Sequence, residues 1–456
     1  MITIDEIGYG LDHGTFTAVD LVNAHIARIH EVNQVFNAVL EVNPDALDIA
    51  KELDAEMKLH GRRGPLRDVP ILLKDNIYTE DRMTTSAGLY AFVGARPARE
   101  GTAVHNLRKA GAILLVNSNL SEFANFRSTN ASDGWSPRGG QTFGAFVPLQ
   151  ASEGSSSGSG VAVALGLAPA ALGTENDGSI VLPSMKNNVV GFCPTTGLVS
   201  RDGVIPLLVS DRQDTVVPMT RTVKDAALIL SVIAGPSKYD SATETIPFAD
   251  IPDYASACRR PDLAGIRLGV PRRAIASADQ VIMSSFEEAL KKLSEIGATV
   301  IDNVDIPAQD EWNAWDPRER RRALEAEFKS SINRWCGELT HNPENISDLD
   351  DLIQFVQQHP KEAYPRRNIE RLLESQNSPG TDAPITREAL EKMLRCCADE
   401  GLLPALKQDN LDALVFPNVA DLPSTCAARA GFPSSPCLWA STPKEPRSRT
   451  HPKVTK

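Results

Sequence analysis

Residues 154–160 read Gly-Ser-Ser-Ser-Gly-Ser-Gly, and residues 173–180 read Gly-Thr-Glu-Asn-Asp-Gly-Ser-Ile. Between these two stretches lies a run of small apolar residues, which favours a tightly packed helix over 160–167. Pro169 is expected to end that helix, and the chain then returns as a strand over 170–172. The two serine-bearing stretches are therefore expected to form turns beside a buried helix and strand.

A single lysine follows an apolar stretch upstream, where residues 69–74 read Val-Pro-Ile-Leu-Leu-Lys. The run Ile71-Leu72-Leu73 predicts a short strand that leads into the loop of Lys74. A serine hydroxyl is a weak nucleophile until a base removes its proton, and lysine can act as that base only when its pKa is lowered. Two serines in glycine-containing turns and one desolvated lysine therefore indicate hydrolysis by a serine nucleophile without histidine.

Each of these elements also has a simpler interpretation. A Gly/Ser run by itself is more often a flexible loop, and a lone lysine is more often a surface residue. Ser179 by itself is most simply explained as a helix cap or a turn residue. A phosphate-binding loop is disfavoured, because the sequence contains no Gly-x4-Gly-Lys-Ser/Thr motif. The hydrolytic interpretation thus depends on the three elements occurring together.

The lysine at position 74 and the serines at positions 155 and 179 resemble, in order and spacing, the amidase signature family. Members of that family cleave carboxamide C–N bonds with a Ser–cis-Ser–Lys triad. The resemblance implies that Ser179 is the nucleophile, that Ser155 is the relay and that Lys74 is the base. It also implies a cis peptide bond before Ser155, where Gly154 lowers the steric barrier to that geometry.

The turn that precedes the nucleophile is the expected oxyanion hole, because backbone N–H donors have to point to the atom on which negative charge develops. The candidates are the backbone N–H groups of Asn176, Asp177, Gly178 and Ser179. Ser156 and Thr174 are expected to support the triad by hydrogen bonding. This chemistry requires no cofactor and no metal ion, so none is predicted.

The predicted fold class is α/β, and the resemblance implies an amidase-signature fold, with a central twisted mixed β-sheet covered by helices on both faces. A single domain is expected over residues 1–433, with a catalytic core at about 60–235 and a helical insertion at about 318–407. Hydrophobic periodicity predicts the remaining elements. The predicted helices cover residues 17–31, 44–59, 105–110, 222–233 and 280–296, and the predicted strands cover residues 112–117, 189–192, 266–270, 299–301 and 411–416.

Residues 434–456 differ from the rest of the chain, since they are rich in Pro, Ser, Arg and Lys and lack a periodic apolar pattern. A segment of this composition buries too little apolar surface to fold, so disorder is expected. In the resembling family an apolar strand follows at this point, whereas here the pattern is absent. The C-terminal part of the fold is therefore expected to be truncated, with a tail that does not belong to the family.

The formal net charge of −12 argues against nucleic acid or an acidic membrane surface as the main partner. The seven cysteines form no Cys-x-x-Cys pair, and His and Cys show no zinc-site spacing, which favours reduced thiols. The N-terminus lacks the regions of a signal peptide, and the longest apolar run is too short to span a bilayer. A cytoplasmic protein is predicted, and both a monomer and a homodimer are compatible with the sequence.

The predicted function is hydrolysis of a small-molecule or peptide-like carboxamide. The Gly-Thr-Glu-x-Asp-Gly-Ser variant is similar to a branch of peptide amidases and fungal amidases. Two alternatives stay open: an amidotransferase A-type subunit that passes ammonia to an acyl-tRNA, and a degenerate, non-catalytic homologue. The second is motivated by the C-terminal tail together with Cys193 and Val217, which depart from the residues usual in the family. Asn176 is a further departure, in the expected oxyanion turn. The substrate pocket is expected between loops 123–135 and 206–211 and the helical insertion.

Overall fold

The computed structural model describes residues 2–205, 212–259, 262–417 and 421–436. In chain order, the strands are β1 (Val39–Val42), β2 (Pro70–Lys74), β3 (Arg96–Pro97), β4 (Ile113–Ser118), β5 (Trp135–Ser136), β6 (Gly140–Gln141), β7 (Ala170–Glu175), β8 (Val190–Gly191), β9 (Thr215–Thr220), β10 (Arg267–Gly269), β11 (Thr299–Ile301), β12 (Leu339–His341) and β13 (Ala413–Leu414).

The α-helices, in the same order, are α1 (Ile4–Asp12), α2 (Ala18–Phe36), α3 (Ala46–His60), α4 (Thr102–Lys109), α5 (Ser157–Ala164), α6 (Val181–Lys186), α7 (Val223–Ile233), α8 (Tyr254–Ala257), α9 (Gln280–Glu295), α10 (Gln309–Ala314), α11 (Pro317–Gly337), α12 (Leu349–Gln358), α13 (Glu370–Gln376), α14 (Pro384–Leu394), α15 (Leu403–Gln408) and α16 (Asp421–Ala430). Short 3-10 turns lie at Glu122–Asn125, Ser241–Thr245 and Pro360–Glu362, and a π-helix lies at Arg395–Leu402.

A six-stranded mixed sheet forms the centre of the fold, in the order β1-β4-β2-β7-β9-β8. Strand β2 runs parallel to both β4 and β7, whereas β1, β9 and β8 pair in the antiparallel sense. Lys74 is the last residue of β2, and its parallel neighbour β7 ends in Thr174 and Glu175. Because the carboxyl ends of parallel strands meet at one edge of a sheet, these side chains lie close together.

The two faces of the sheet pack against different helices, because side chains alternate along each strand. Ile71 and Leu73 of β2 belong to a cluster with side chains from α1, α4 and α7. Leu72 belongs to the opposite cluster, which contains side chains from α2, α3 and α5. All three residues are fully buried. The expected sheet with helices on both faces is therefore confirmed.

Strands β10, β11 and β13 form a separate parallel sheet, in the order β11-β10-β13. The sequence predicted a buried strand over 411–416, and this prediction was wrong in extent and burial. The observed strand covers only Ala413–Leu414, and both residues are half-buried. The physical reason is its position at the edge of a small sheet, where it pairs on one side only and its partner β10 is itself short.

The predicted helices are present, but several of their ends are shifted. Thr17 caps α2 as expected and accepts a hydrogen bond from the backbone of Asp20, yet the helix continues to Phe36. The helix predicted over 160–167 begins earlier, at Ser157, and ends earlier, at Ala164, so Ser157 and Ser159 of the Gly/Ser run lie in it, whereas Ser155 precedes it. The second part of this run is therefore the first turn of a buried helix.

The chain after α16 contacts the region of β8. Ser434 and Cys193 exchange two backbone hydrogen bonds, of 2.9 and 3.0 Å. Ser435 Oγ donates a hydrogen bond of 3.0 Å to the carbonyl oxygen of Gly191. The first residues of the segment expected to be disordered thus pair with the core, while residues 437–456 lie outside the described residues.

Candidate active site

Lys74 is fully buried at the carboxyl edge of the central sheet. Its Nζ atom lies 2.8 Å from Ser155 Oγ, 2.9 Å from Thr174 Oγ1 and 3.2 Å from the carbonyl oxygen of Thr174. All three partners are neutral oxygen atoms. The lysine expected as the base and the serine expected as the relay are therefore in direct hydrogen-bonding contact.

Burial lowers the pKa of Lys74 to about 7, because the ammonium form loses its hydration and gains no carboxylate in direct contact. The charges of Glu175 and Asp214 act in the opposite direction and limit the shift. Near neutral pH a substantial fraction of the side chain is therefore an uncharged amine. An amine can accept a proton, whereas an ammonium group cannot.

The Gly154–Ser155 peptide bond is cis, as the resemblance implied. Ser155 is fully buried, and its carbonyl oxygen accepts a hydrogen bond of 3.1 Å from the backbone N–H of Ser121. A Cβ atom at position 154 would collide with Ser121 Oγ, so glycine is the residue that fits there. The close approach of the loops that carry Ser121 and Ser155 thus explains the first glycine of the run.

Ser179 lies two residues before α6 and is 6% exposed. Its carbonyl oxygen accepts a hydrogen bond of 3.1 Å from the backbone N–H of Ser156. The residue next to the expected relay is therefore tied to the expected nucleophile through the main chain. Within the residues that the structure describes, no hydrogen bond joins the hydroxyl groups of Ser155 and Ser179 directly.

The turn from Asn176 to Ser179 presents backbone N–H groups, as an oxyanion hole requires. Gly178 has a φ angle of 84°, which favours glycine. Among the described residues, the N–H groups of Asn176, Asp177 and Ser179 have no hydrogen-bond acceptor. The N–H group of Gly178 differs, because it faces the carboxylate of Glu175.

The two residues expected to support the triad, Ser156 and Thr174, both make hydrogen bonds at this site. Ser156 Oγ donates a hydrogen bond of 3.1 Å to the carbonyl oxygen of Thr174. Thr174 Oγ1 contacts Lys74 and also accepts a hydrogen bond of 3.1 Å from Asn76 Nδ2. These contacts hold the end of β7 against the Lys74 loop and the Gly/Ser turn.

Sequence reasoning gave no role to Glu175, which is buried beside the nucleophile turn. Its carboxylate accepts hydrogen bonds from the backbone N–H groups of Ile180 and Val181, the latter at 2.9 Å, at the start of α6. Burial raises the pKa of this carboxyl group above its usual value. Glu175 thereby fixes the chain on the C-terminal side of Ser179, and its place in the Gly-Thr-Glu-x-Asp-Gly-Ser pattern was the available signal.

A second contact that sequence reasoning missed joins the nucleophile turn to α16. Arg429 Nε and Nη2 lie 3.0 and 2.9 Å from Asp177 Oδ2. The two residues are far apart in the sequence, so no local sequence pattern predicts the contact.

A cavity lies beside the site and is lined in part by polar side chains. Its walls include Asn76, Ala124, Thr174, Asn176, Arg201 and Asp214. Ala124 belongs to the loop 123–135, one of the expected pocket walls, whereas the expected wall 206–211 lies outside the described residues.

The structure accommodates the three residues that depart from the family's usual pattern. Val217 is fully buried in β9, opposite Gly173. Cys193 is buried and pairs with the segment after α16. Asn176 Nδ2 donates a hydrogen bond of 2.8 Å to Asp214 Oδ1.

In the described ranges, no group of three or more His, Cys, Asp or Glu side chains is arranged to hold a metal ion. No helix in the described part of the chain is both long and apolar enough to cross a membrane.

The family model described as Amidase matches residues 20–442. An amidase-family relative from Arthroderma benhamiae is 42% identical over 94% of this chain and 76% of its own length. The peptide amidase from Stenotrophomonas maltophilia has a solved structure with a TM-score of 0.88 and 38% identity, over 97% of this chain and 91% of that chain. The A-type subunit of the glutamyl-tRNA(Gln) amidotransferase from Chloroflexus aurantiacus is 36% identical, over 67% of this chain and 61% of its own length.

The mixed sheet, the site at its carboxyl edge and these matches define one class of protein. The chain belongs to the amidase family. It is a hydrolase that acts on amide bonds.

Proposed function

We propose that the protein cleaves the C–N bond of a small-molecule or peptide-like carboxamide through a serine acyl-enzyme. Ser179 is the nucleophile, Ser155 is the relay and Lys74 is the base. The observation that carries this proposal is the contact of 2.8 Å between Lys74 Nζ and Ser155 Oγ, made by a fully buried lysine. A buried amine with a pKa near 7 and a hydroxyl partner is suited to general-base catalysis.

The proposed reaction begins with a proton transfer along the triad. Ser155 gives its hydroxyl proton to the neutral amine of Lys74 and receives the proton of Ser179. Ser179 Oγ attacks the carbonyl carbon of the amide and forms a tetrahedral intermediate. The C–N bond then breaks, and the leaving nitrogen takes a proton from Lys74 by way of Ser155. Water then attacks the ester and gives a proton to Lys74 by way of Ser155. The ester C–O bond breaks, Ser179 Oγ takes that proton back by the same route, and the acid and free Ser179 result.

The developing oxyanion requires donors that are in place before the reaction. The N–H groups of Asn176, Asp177 and Ser179 are the main candidates, because they have no acceptor within the described residues. The N–H group of Gly178 is shared with Glu175 and contributes less.

The proposed substrate class rests on the likeness to a peptide amidase. The side chains of Asn76, Asn176 and Thr174 line the neighbouring cavity, but they hydrogen-bond to one another, to Lys74 and to Asp214. The proposal of a peptide-like substrate therefore depends on the likeness and not on these groups.

The test is ammonia or amine release by the purified full chain from a panel of simple amides and C-terminally amidated peptides. Ser179→Ala is expected to lower kcat by about 10³-fold or more, because it removes the nucleophile. Ser294→Ala, on the helix α9, is the matched control and is expected to retain activity. Equal release by the wild type and Ser179→Ala would refute the assignment of the nucleophile.

A second candidate function is supported by the likeness to the A-type subunits of amidotransferases. In that function the same site would release ammonia for transfer to an acyl-tRNA. The net charge of −12 disfavours a direct contact with tRNA by this chain. Ammonia release that depends on tRNA and on a copurifying protein would favour this function, and release by the isolated chain would favour the first.

We also propose a cytoplasmic location, because the cysteines in the described ranges are free thiols, as a reducing compartment favours. A homodimer stays a prediction, which sedimentation velocity can test.

A further inference from the structure

The salt bridge between Asp177 and Arg429 joins the nucleophile turn to the helix α16. Two nitrogen atoms of the guanidinium group contact one carboxylate oxygen, at 3.0 and 2.9 Å. Only 11% of the arginine side chain and 23% of the aspartate side chain are exposed. Water therefore screens this ion pair less than it screens a pair on the open surface.

The helix that carries Arg429 is itself firmly packed. Leu422, Cys426 and Ala427 on α16 are buried in a cluster with side chains from the π-helix and from α14. The packed helix therefore limits the movement of the guanidinium group of Arg429. The planar set of N–H donors on this group in turn limits where the carboxylate of Asp177 can lie. In contrast, the turn that carries Asp177 is an irregular segment that leads from β7 to Ser179.

The negative charge of the Asp177 carboxylate is unfavourable for the proposed reaction. Its own N–H group is one of the expected donors to the oxyanion, yet its side chain adds a carboxylate to the same short turn. A negative charge near the developing oxyanion raises the energy of the transition state. A cation that pairs with this carboxylate removes most of that penalty.

We propose that Arg429 is a positioning residue, which neutralises Asp177 and holds the turn 176–179 in the shape that receives the oxyanion. This inference rests on the proposed function and adds to it a role for α16. Arg429 acts through Asp177 and not by contact with the reacting atoms. Its loss is therefore expected to affect kcat more than KM.

The charge argument predicts that substitutions of Arg429 and of Asp177 do not lower kcat equally. Arg429→Met leaves a lone carboxylate in the turn and is expected to lower kcat by about 10- to 100-fold, with KM changed by less than about threefold. Asp177→Asn removes the carboxylate but keeps an amide oxygen that can still accept a hydrogen bond from Arg429, so its kcat is expected to fall less than the kcat of Arg429→Met, by a factor of about three or more. A purely structural ion pair would make the two losses similar.

The double variant Asp177→Asn/Arg429→Met provides the decisive comparison. Its kcat is expected to lie between those of Arg429→Met and Asp177→Asn, because the unpaired charge is gone but the link to α16 is lost as well. Arg429→Lys keeps the positive charge but lacks the planar guanidinium group. Its kcat is expected to lie between those of the wild type and Arg429→Met. This variant, with Asp177→Asn, also keeps the test informative should Arg429→Met fail to fold.

Arg395→Met is the matched control. Arg395 lies on the π-helix beside α16 and pairs with Glu311 at 2.6 Å, but it does not contact the nucleophile turn. Its loss is expected to leave kcat unchanged. Thermal unfolding of every variant, measured at the same pH, separates a loss of folded protein from a loss of turnover.

The outcomes distinguish this inference from the function on which it rests. Suppose that the wild type is active and Ser179→Ala is inactive, so that the proposed function holds. In that case, an unchanged kcat for Arg429→Met would overturn the positioning role. A double variant that is as slow as Arg429→Met would overturn it as well. A wild type that is no faster than Ser179→Ala would overturn the proposed function and the positioning role together.

Discussion

Two buried cations, Lys74 and Arg127, illustrate opposite uses of charge within one fold. Lys74 contacts only neutral oxygens, and burial lowers its pKa to about 7. Arg127 is equally buried, but its guanidinium group lies between the carboxyl groups of Glu122 and Glu362, 2.6 and 3.0 Å away. The two sites therefore differ in the partners of the basic side chain and not in its depth of burial.

The difference assigns different tasks to the two sites. An unpaired lysine amine destabilises the folded protein near neutral pH, but it is available as a base. The arginine connects the loop of Glu122 with the helical region of Glu362. Glu362 also accepts a hydrogen bond of 2.8 Å from the backbone of Tyr90. One site is thus arranged for proton transfer, and the other joins three segments of the chain.

The largest expected effect on kcat comes from replacing Lys74. Lys74→Met is expected to lower kcat by about 10³-fold, because no other group can take the proton from Ser155. The same change is expected to raise the melting temperature at pH 7. The folded-state pKa of about 7 lies below the 10.5 of an exposed lysine, so the lysine penalises folding at neutral pH, and the penalty fades as the pH rises from 7 to 10.5.

Steady-state kinetics and thermal unfolding measure the two effects in one preparation. Lys51→Met is the control, because Lys51 is an exposed lysine that pairs with Asp48 on the surface of α3. It is expected to change neither quantity appreciably. A Lys74→Met protein that is both inactive and less stable than the wild type would contradict the contrast between the two buried cations.

Replacement of Arg127 is expected to lower the stability of the fold, which is the reverse of the effect expected at Lys74. Arg127→Met leaves two buried carboxyl groups without their cation and is expected to lower the free energy of unfolding by about 3 kcal/mol. Urea unfolding at pH 7 measures this loss. An unfolding free energy within about 0.5 kcal/mol of the wild type would show that the cluster does not stabilise the fold.

Glu122→Gln is the matched variant for this cluster. Burial raises the pKa of Glu122 to about 8, so its carboxyl group is mostly protonated at pH 7 and a neutral amide replaces it at a cost below about 1 kcal/mol. A carboxyl group whose pKa rises on folding stabilises the protein at low pH, and this contribution is lost between about pH 4.5 and 8. Glu122→Gln is therefore expected to flatten the pH dependence of unfolding in that window.

A smaller effect is expected from the hydroxyl group that supports Lys74. Thr174→Val keeps the shape of the side chain but removes the oxygen that lies 2.9 Å from Nζ, and kcat is expected to fall by about tenfold. Thr340→Val, which removes an exposed hydroxyl that contacts the carbonyl oxygen of Arg96, serves as the control. A kcat for Thr174→Val equal to that of the control would remove Thr174 from the supporting network.

Local patterns predicted four of the six strands of the central sheet, β2, β4, β7 and β8, but missed β1 and β9. The mixed sheet as a whole was expected from the resemblance to the family. The apolar run before Lys74, the small residues after Ser155 and the turn before Ser179 each limit the chain to few conformations. Their spacing identified the family, and the structure brings Lys74 and Ser155 into contact. The ends of the elements were less predictable. The first turn of α5 includes Ser157, because tertiary packing, and not propensity, sets its start.

Contacts between distant parts of the chain could not be predicted. Glu122 and Glu362 share Arg127, and Asp177 pairs with Arg429, although neither pair has a local sequence pattern. The strand predicted over 411–416 was too long because apolar composition does not distinguish a central strand from an edge strand. These features depend on how the helices from α11 to α16 pack against one another and against the loops that carry Phe123 and Asp177.

The rate at which a fluorophosphonate modifies Ser179, measured from pH 5 to 10, tests the role of Lys74 most directly. The reaction requires activation of the serine but no leaving amine. The rate is expected to rise about tenfold per pH unit below pH 7 and to level off above it, following the neutral amine. A rate that keeps rising to about pH 10, or one that does not change with pH, would contradict a neutral Lys74 as the base.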